Sequence, residues 1–209
     1  MRLYAENLSL ERGGRRLFAD LSFEVHGGEA LVVQGSNGAG KSSLLRAIAG
    51  LLPLSGGCLR HEGGDAKATL GEQAHYLGHA DSLRSALTAR ENLTFWAEML
   101  GGALSGIKPA LARFGLPHVL DLPVRALSAG QKRRVALSLL LIAQKAIWLL
   151  DEPATALDVG SQTLLADAMR DHLSRGGLIV VATHTPLAIV ATRRIQLDAA
   201  GFMPVGEGV

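Results

Sequence analysis

Gly35-Ser36-Asn37-Gly38-Ala39-Gly40-Lys41-Ser42 is the stretch from which the fold of this 209-residue chain is read. It fits the pattern G-x-x-x-x-G-K-[ST]. Residues 30–34, just before it, are a short apolar run suited to a buried parallel strand. Residues 41–50, just after it, read as a helix that Gly50 and Pro53 stop. Each residue type answers a need of a bound triphosphate. Glycines let the backbone bend and approach the anion with no Cβ in the way. The helix turns its positive dipole end towards the same oxygens. Lys41 adds a point charge at the β- and γ-phosphates, and Ser42 offers a hydroxyl to Mg²⁺. Together with Ser43, residues 35–42 form the predicted nucleoside-triphosphate-binding set. Average amino-acid usage produces such a match by accident roughly once in a hundred chains of this length. Accident rarely places it between a strand and a helix.

Further along, Ala146-Ile147-Trp148-Leu149-Leu150 is an apolar strand that ends in Asp151 and Glu152 and turns at Pro153. The turn lets Asp151 face the phosphate loop and hold Mg²⁺, and lets Glu152 stand near an attacking water as general base. Taken alone, the pair also fits an ordinary strand end with two solvated acids; the loop upstream favours the catalytic reading. Thr183-His184 ends the next apolar strand, where an imidazole can hydrogen-bond a γ-phosphate or the water.

The rest of the chain builds around these points. Residues 2–8 and 17–25 read as two strands, broken by the turn at Arg12-Gly13-Gly14. Residues 56–64 read as a hairpin region and 73–77 as a strand. The middle changes to helical spacing over 89–100, 108–114 and 129–144, with Val135, Leu139 and Ile142 on one side of the last. Then strands over 146–150, 178–183 and 194–197 alternate with helices over 161–173 and 186–190. This predicts an α/β fold: a P-loop core with a mostly parallel sheet, an N-terminal antiparallel β subdomain and an inserted helical lobe. We expect one domain over 1–209, its RecA-like core in 1–82 and 128–209 and its lobe in 83–127.

Composition limits the partners. Apolar residues make up 48% and charged residues 19%, and the net charge is +2. That is a globular chain with little to attract nucleic acid. Its nearest approach to a basic run is Lys132-Arg133-Arg134, placed on a helix. No apolar run is long enough to span a bilayer, and no secretory leader follows Met1. The single cysteine, Cys58, suggests a reducing compartment. Any membrane role is expected to run through another protein.

Leu127-Ser128-Ala129-Gly130-Gln131 resembles the LSGGQ signature of ABC ATPases, at the family's usual interval before the acidic strand. Ala156-Leu157-Asp158 resembles the family's D-loop and Thr183-His184 its switch histidine. Ser128 is a good N-cap, and the helix behind it presents free N–H groups to an anion. The resemblance implies that this anion is the γ-phosphate bound by a second copy, so that two chains pair head to tail around ATP with Asp158 at the seam. Two positions depart from the family pattern. His79 stands where a glutamine normally contacts Mg²⁺ and senses the membrane partner, as located from Leu87-Thr88-Ala89-Arg90-Glu91-Asn92. Arg12 stands near the place of the aromatic that stacks on adenine; a guanidinium plane also stacks on a base.

Tyr76-Leu77-Gly78-His79, the 87–93 segment and Asp151-Glu152-Pro153-Ala154-Thr155-Ala156-Leu157-Asp158 are similar to the haem-exporter ATPase subunits of bacterial cytochrome c biogenesis. The similarity implies a peripheral subunit on the cytoplasmic face of the inner membrane, driving an integral membrane permease. A transporter subunit for another substrate and a soluble ABC ATPase, such as one for iron–sulfur cluster assembly, stay open as alternatives. A P-loop kinase fits the loop but not the signature.

Overall fold

The computed structural model describes residues 1–184, 187, 193–198 and 201–204. Strands β1 (Arg2–Arg12) and β2 (Arg15–His26) pair antiparallel through Gly13 and Gly14, both in the left-handed region that such a turn requires. The region 56–64, expected as a hairpin, is instead one strand within a larger sheet. Its strand β4 (Gly56–Glu62; β3 follows below) runs once along the free edge of β1, with Leu3 opposite His61 and Ala5 opposite Leu59. A lone hairpin is marginal in water, whereas β1 offers an open edge and a buried face.

The main sheet comprises β3 (Ala30–Gly35), β5 (Ala74–Leu77), β6 (Ile147–Asp151), β7 (Leu178–Ala182), β8 (Arg193–Asp198) and β9 (Gly201–Pro204). Its order is β5-β6-β7-β3-β8-β9. Every neighbouring pair is parallel except β8–β9, which is antiparallel. Both faces of this sheet are covered, which is why its strands read as unbroken apolar runs. Leu31, Val33, Leu149 and Val180 pack towards α1 (Lys41–Ile48) and the antiparallel sheet. The alternate residues Val32, Trp148, Leu150 and Val181 pack against Leu137 and Leu140 of α5 (Ala129–Ile142) and Leu165 and Met169 of α6 (Val159–Ser174).

A separate apolar cluster holds the helical lobe. Leu93 and Ala97 of α3 (Ala89–Leu100) meet Ala110 and Leu111 of α4 (Ile107–Arg113) and Val135, Leu139 and Ile142 of α5. The side of α5 singled out from sequence therefore faces the lobe, while its other side enters the sheet core. Capping boxes start α3 at Thr88 with Glu91, and α5 at Ser128 with Gln131. Some boundaries differ from expectation. Gln73 closes a short helix, α2 (Leu70–Gln73), rather than opening a strand. Helix α5 stops at Ile142 because Ala143 leaves helical geometry. Helix α6 begins at Val159 because Asp158 caps it. The helix expected over 186–190 lies outside the described residues.

Candidate active site

Four parallel neighbours end at one edge of the sheet, the edge where open α/β sheets bind ligands. Register places Val33 beside Ala182 and Ala182 beside Asp151. The loops that leave this edge carry residues 36–40 after β3, Thr183-His184 after β7, Asp151-Glu152 at the end of β6 and Gly78-His79 after β5. Between them lies a cleft of about 530 Å³, lined by Arg12, Leu17, Asn37, Gly38, Gly40, Lys41, Ser42, Ser43, His79, Asp151, Glu152 and His184. Side chains from five separate parts of the sequence thus converge on one space.

The phosphate loop is anchored from below. Ala39 is buried, and a Cβ on Gly35 would stand 2.2 Å from the Leu197 carbonyl oxygen, so only glycine fits there. Lys41 Nζ donates to the carbonyls of Gly35 at 2.7 Å and Ser36 at 3.1 Å, folded back over its own loop. Gly40 caps α1 in a left-handed conformation (φ 100°) without any side-chain cap. The first N–H groups of α1 are thereby left to a ligand.

Ser42 Oγ donates to Asp151 Oδ1 at 3.0 Å. The other carboxylate oxygen accepts from the Tyr76 hydroxyl at 3.5 Å, and that hydroxyl accepts from Arg46 Nε at 3.2 Å. Burial pushes the Tyr76 phenol above its usual range, which keeps its proton available to Asp151. A hydroxyl and a buried carboxylate are both hard oxygen donors, and such a pair suits Mg²⁺. Among the described residues no group of three His, Cys, Asp or Glu forms a metal cage.

Glu152 has φ 48°, a left-handed conformation rare for a side-chain-bearing residue. Its N–H donates to Ala182 O at 2.8 Å, and its Oε1 lies 2.8 Å from His184 Nδ1. The carboxyl is largely covered, while the imidazole is largely exposed. The strained backbone turns the glutamate out of the sheet line and towards the cleft, beside the histidine.

The signature residues lie elsewhere. Ser128 and Ala129 are exposed, and none of Ser128, Ala129, Gly130 or Gln131 lines the cleft of its own chain. Ser128 Oγ accepts from Gln131 N, and Gln131 Oε1 accepts from Ser128 N. A Cβ on Gly130 would come within 2.8 Å of Ala156 O, so glycine is required where the signature touches the D-loop segment. Asp158 accepts from Ser161 N at 2.7 Å, which holds its carboxyl below the usual range, and it remains exposed. His79 and Arg12 are exposed at the mouth of the cleft.

Three participants escaped the sequence reading: Tyr76, Arg46 and Arg133. The basic run 132–134 is not a uniform surface feature. Arg133 is 2% exposed, and Arg134 donates to Phe114 O. Arg133 stands four and seven residues before Leu137 and Leu140, on the face of α5 that enters the sheet core, and that spacing was the available signal.

Residues 18–155 match the family model described as ABC transporter. The "Cytochrome c biogenesis ATP-binding export protein CcmA" of Nitrobacter winogradskyi is 51% identical over 200 residues, 96% of this chain and 100% of that protein. The protein of the same name from Bradyrhizobium diazoefficiens is 54% identical over 189 residues, 90% of this chain and 94% of that one. A solved "ATP binding subunit of ABC transporter" superposes with a TM-score of 0.88 over 99% of this chain and 90% of its own, at 24% identity. The fold, the ordered motifs and these relatives agree: the chain belongs to the ATP-binding proteins of the ABC transporter family, in the branch of the cytochrome c biogenesis export proteins.

Proposed function

We propose that this chain is the ATP-hydrolysing subunit of the haem exporter of cytochrome c biogenesis, acting as a pair of copies on an integral membrane permease. The observation that carries the reading is the convergence of Lys41, the Ser42–Asp151 pair and the Glu152–His184 pair on one cleft.

The chemistry is transfer of the γ-phosphoryl group to water. The loop of Gly35, Ser36, Asn37, Gly38, Ala39 and Gly40, with Ser43 behind it, surrounds the triphosphate with N–H groups, and Lys41 leaves its carbonyl partners for the phosphates. Ser42 and Asp151 would hold Mg²⁺, which would supply charge neutralisation at the phosphates. Glu152 takes a proton from the attacking water, and His184 fixes the γ-phosphate and the glutamate relative to each other. Ser128, Ala129, Gly130 and Gln131 act on the ATP of the other copy; the exposure of Ser128 and Ala129, and the absence of all four from the lining of their own cleft, fit that role. Asp158 lies at the seam, and Arg12 stacks on adenine.

The permease docks on the lobe, for which we take residues 83–127. Phe95, Met99 and Leu104 are large apolar side chains left 42%, 67% and 49% exposed there. His79, at the cleft mouth, reports the permease's state to the site. No helix among the described residues is long and apolar enough to cross a membrane. The subunit is peripheral and works at the cytoplasmic face of the inner membrane, a reading that the resemblance to the cytochrome c biogenesis export proteins supports.

The test is Glu152→Gln in the full chain. It should bind ATP, lose turnover and accumulate as an ATP-bound dimer in size-exclusion chromatography. Turnover at the wild-type rate would refute the assignment. Detergent pull-down should bring down the multi-spanning proteins of cytochrome c assembly; a permease of unrelated cargo in their place would move the chain to another transporter.

A further inference from the structure

We infer that Arg133 is a positioning residue that ties the geometry of Glu152 to the loop carrying His79. The inference rests on Glu152 being the general base. Arg133 sits on α5, buried, with its guanidinium between two loops. One edge faces the acidic turn. Nε donates to Pro153 O at 3.1 Å, and Nη2 donates to Asp151 O at 3.0 Å and Glu152 O at 2.9 Å. Three successive carbonyls of an irregular turn thus converge on one side chain. The other edge faces the loop after β5. Nη1 donates to Gly78 O at 2.9 Å and to Asp81 Oδ1 at 2.9 Å.

The consequence is mechanical. Glu152 is pinned in its left-handed conformation from both sides, through its N–H by Ala182 O and through its C=O by Arg133. A guanidinium is a rigid plane with donors fixed in direction. When the loop at 78–81 shifts, the plane tilts, and the three carbonyls follow or lose their partner. Left unpaired, buried carbonyls are unfavourable, so the turn moves with the arginine. Gly78 and Asp81 flank His79, which is exposed at the cleft mouth. Motion of that loop is therefore transmitted to the carboxylate beside His184 without contacting the phosphate loop. Arg133 touches none of the reacting atoms; it acts through Glu152.

The experiment compares full-length wild type with Arg133→Lys, Asp81→Asn, Glu152→Gln and the Arg133→Lys/Glu152→Gln pair. Steady-state and single-turnover ATP hydrolysis are measured alongside ATP affinity by equilibrium binding. Lysine keeps a charge but carries its donors on one nitrogen and does not span both loops. Arg133→Lys should lower kcat by about tenfold or more while ATP affinity and KM stay within about twofold, the signature of an interaction needed only for the chemical step. Asp81→Asn leaves the three carbonyl bonds in place and is expected to fold whatever the first variant does. It should lower kcat by about threefold or more, again with KM unchanged. In the Glu152→Gln background, Arg133→Lys should cause no further loss, because residues that act as a unit are not additive. Wild-type kcat in Asp81→Asn, a defect in KM rather than kcat, or a full additional loss in the pair would each overturn the inference. Those outcomes leave the base assignment standing if Glu152→Gln alone is inactive, whereas active Glu152→Gln refutes the base itself.

Discussion

Acidification from pH 7 to pH 5 should destabilise this protein through two histidines, by an amount that can be worked out. His75 on β5 is 3% exposed, and burial lowers its pKa from 6.5 to about 4. His172 on α6 stacks on the Trp148 ring at 4.0 Å, and burial likewise lowers it to about 4. Nearby Lys145 and Arg175 push the same way, and backbone carbonyls at Ala143, Ala146 and Leu178 partly oppose them. Both imidazoles are therefore neutral in the fold and cationic at pH 5 in the unfolded chain. The unfolded state binds more protons between about pH 6.5 and pH 4, so stability is full above that window and falls as pH drops through it. For His75 the loss at pH 5 is about 2 kcal/mol. His172 lies nearer solvent, and screening reduces its share to about 1 kcal/mol. The sum, about 3 kcal/mol, is a large part of the 5–15 kcal/mol typical of a domain. Urea unfolding at both pH values, on wild type and on His75→Gln/His172→Phe, isolates it, because other titrating groups are common to both proteins. Wild type should lose about 3 kcal/mol more than the double variant over this interval. Equal losses would show that neither histidine is kept neutral by the fold.

Other expectations follow from the site and its surroundings. Lys41→Ala should abolish ATP binding in equilibrium dialysis with little change in unfolding midpoint; retained affinity would remove Lys41 from the site. Ser128→Ala loses the α5 cap and should lower stability by about 1 kcal/mol in urea. It should also weaken ATP-dependent dimerisation by chromatography, and an unaltered dimer would argue against the signature's role across the pair. Phe95→Glu/Met99→Glu should sever co-purification with the membrane chains while the isolated subunit keeps its basal ATPase rate; undiminished capture would move the docking surface elsewhere.

Local features were legible wherever a short segment carries its own constraint. Gly35 to Ser42 announce a phosphate loop because backbone curvature and N–H exposure are set by neighbours along the chain. The buried strands announce themselves because both faces of a parallel sheet are covered, leaving no polar alternation in 147–150 or 178–182. Ser128 with Gln131 marks a helix start by a capping box that closes within four residues. These segments are enough to order the motifs and to expect the fold. What tertiary structure alone decided is pairing at long range. That β7 sits between β3 and β6, bringing His184 to Glu152, follows from strand order, which no local pattern encodes. That 56–62 pairs with β1 rather than with itself depends on a free edge more than forty residues earlier. Arg133 shows the limit most clearly: its neighbours Lys132 and Arg134 share its charge, yet it alone is drawn inside. The reason is that four carbonyls and a carboxylate from two distant loops meet at one point, and hydrogen-bond partners in the interior are chosen by space rather than by sequence order.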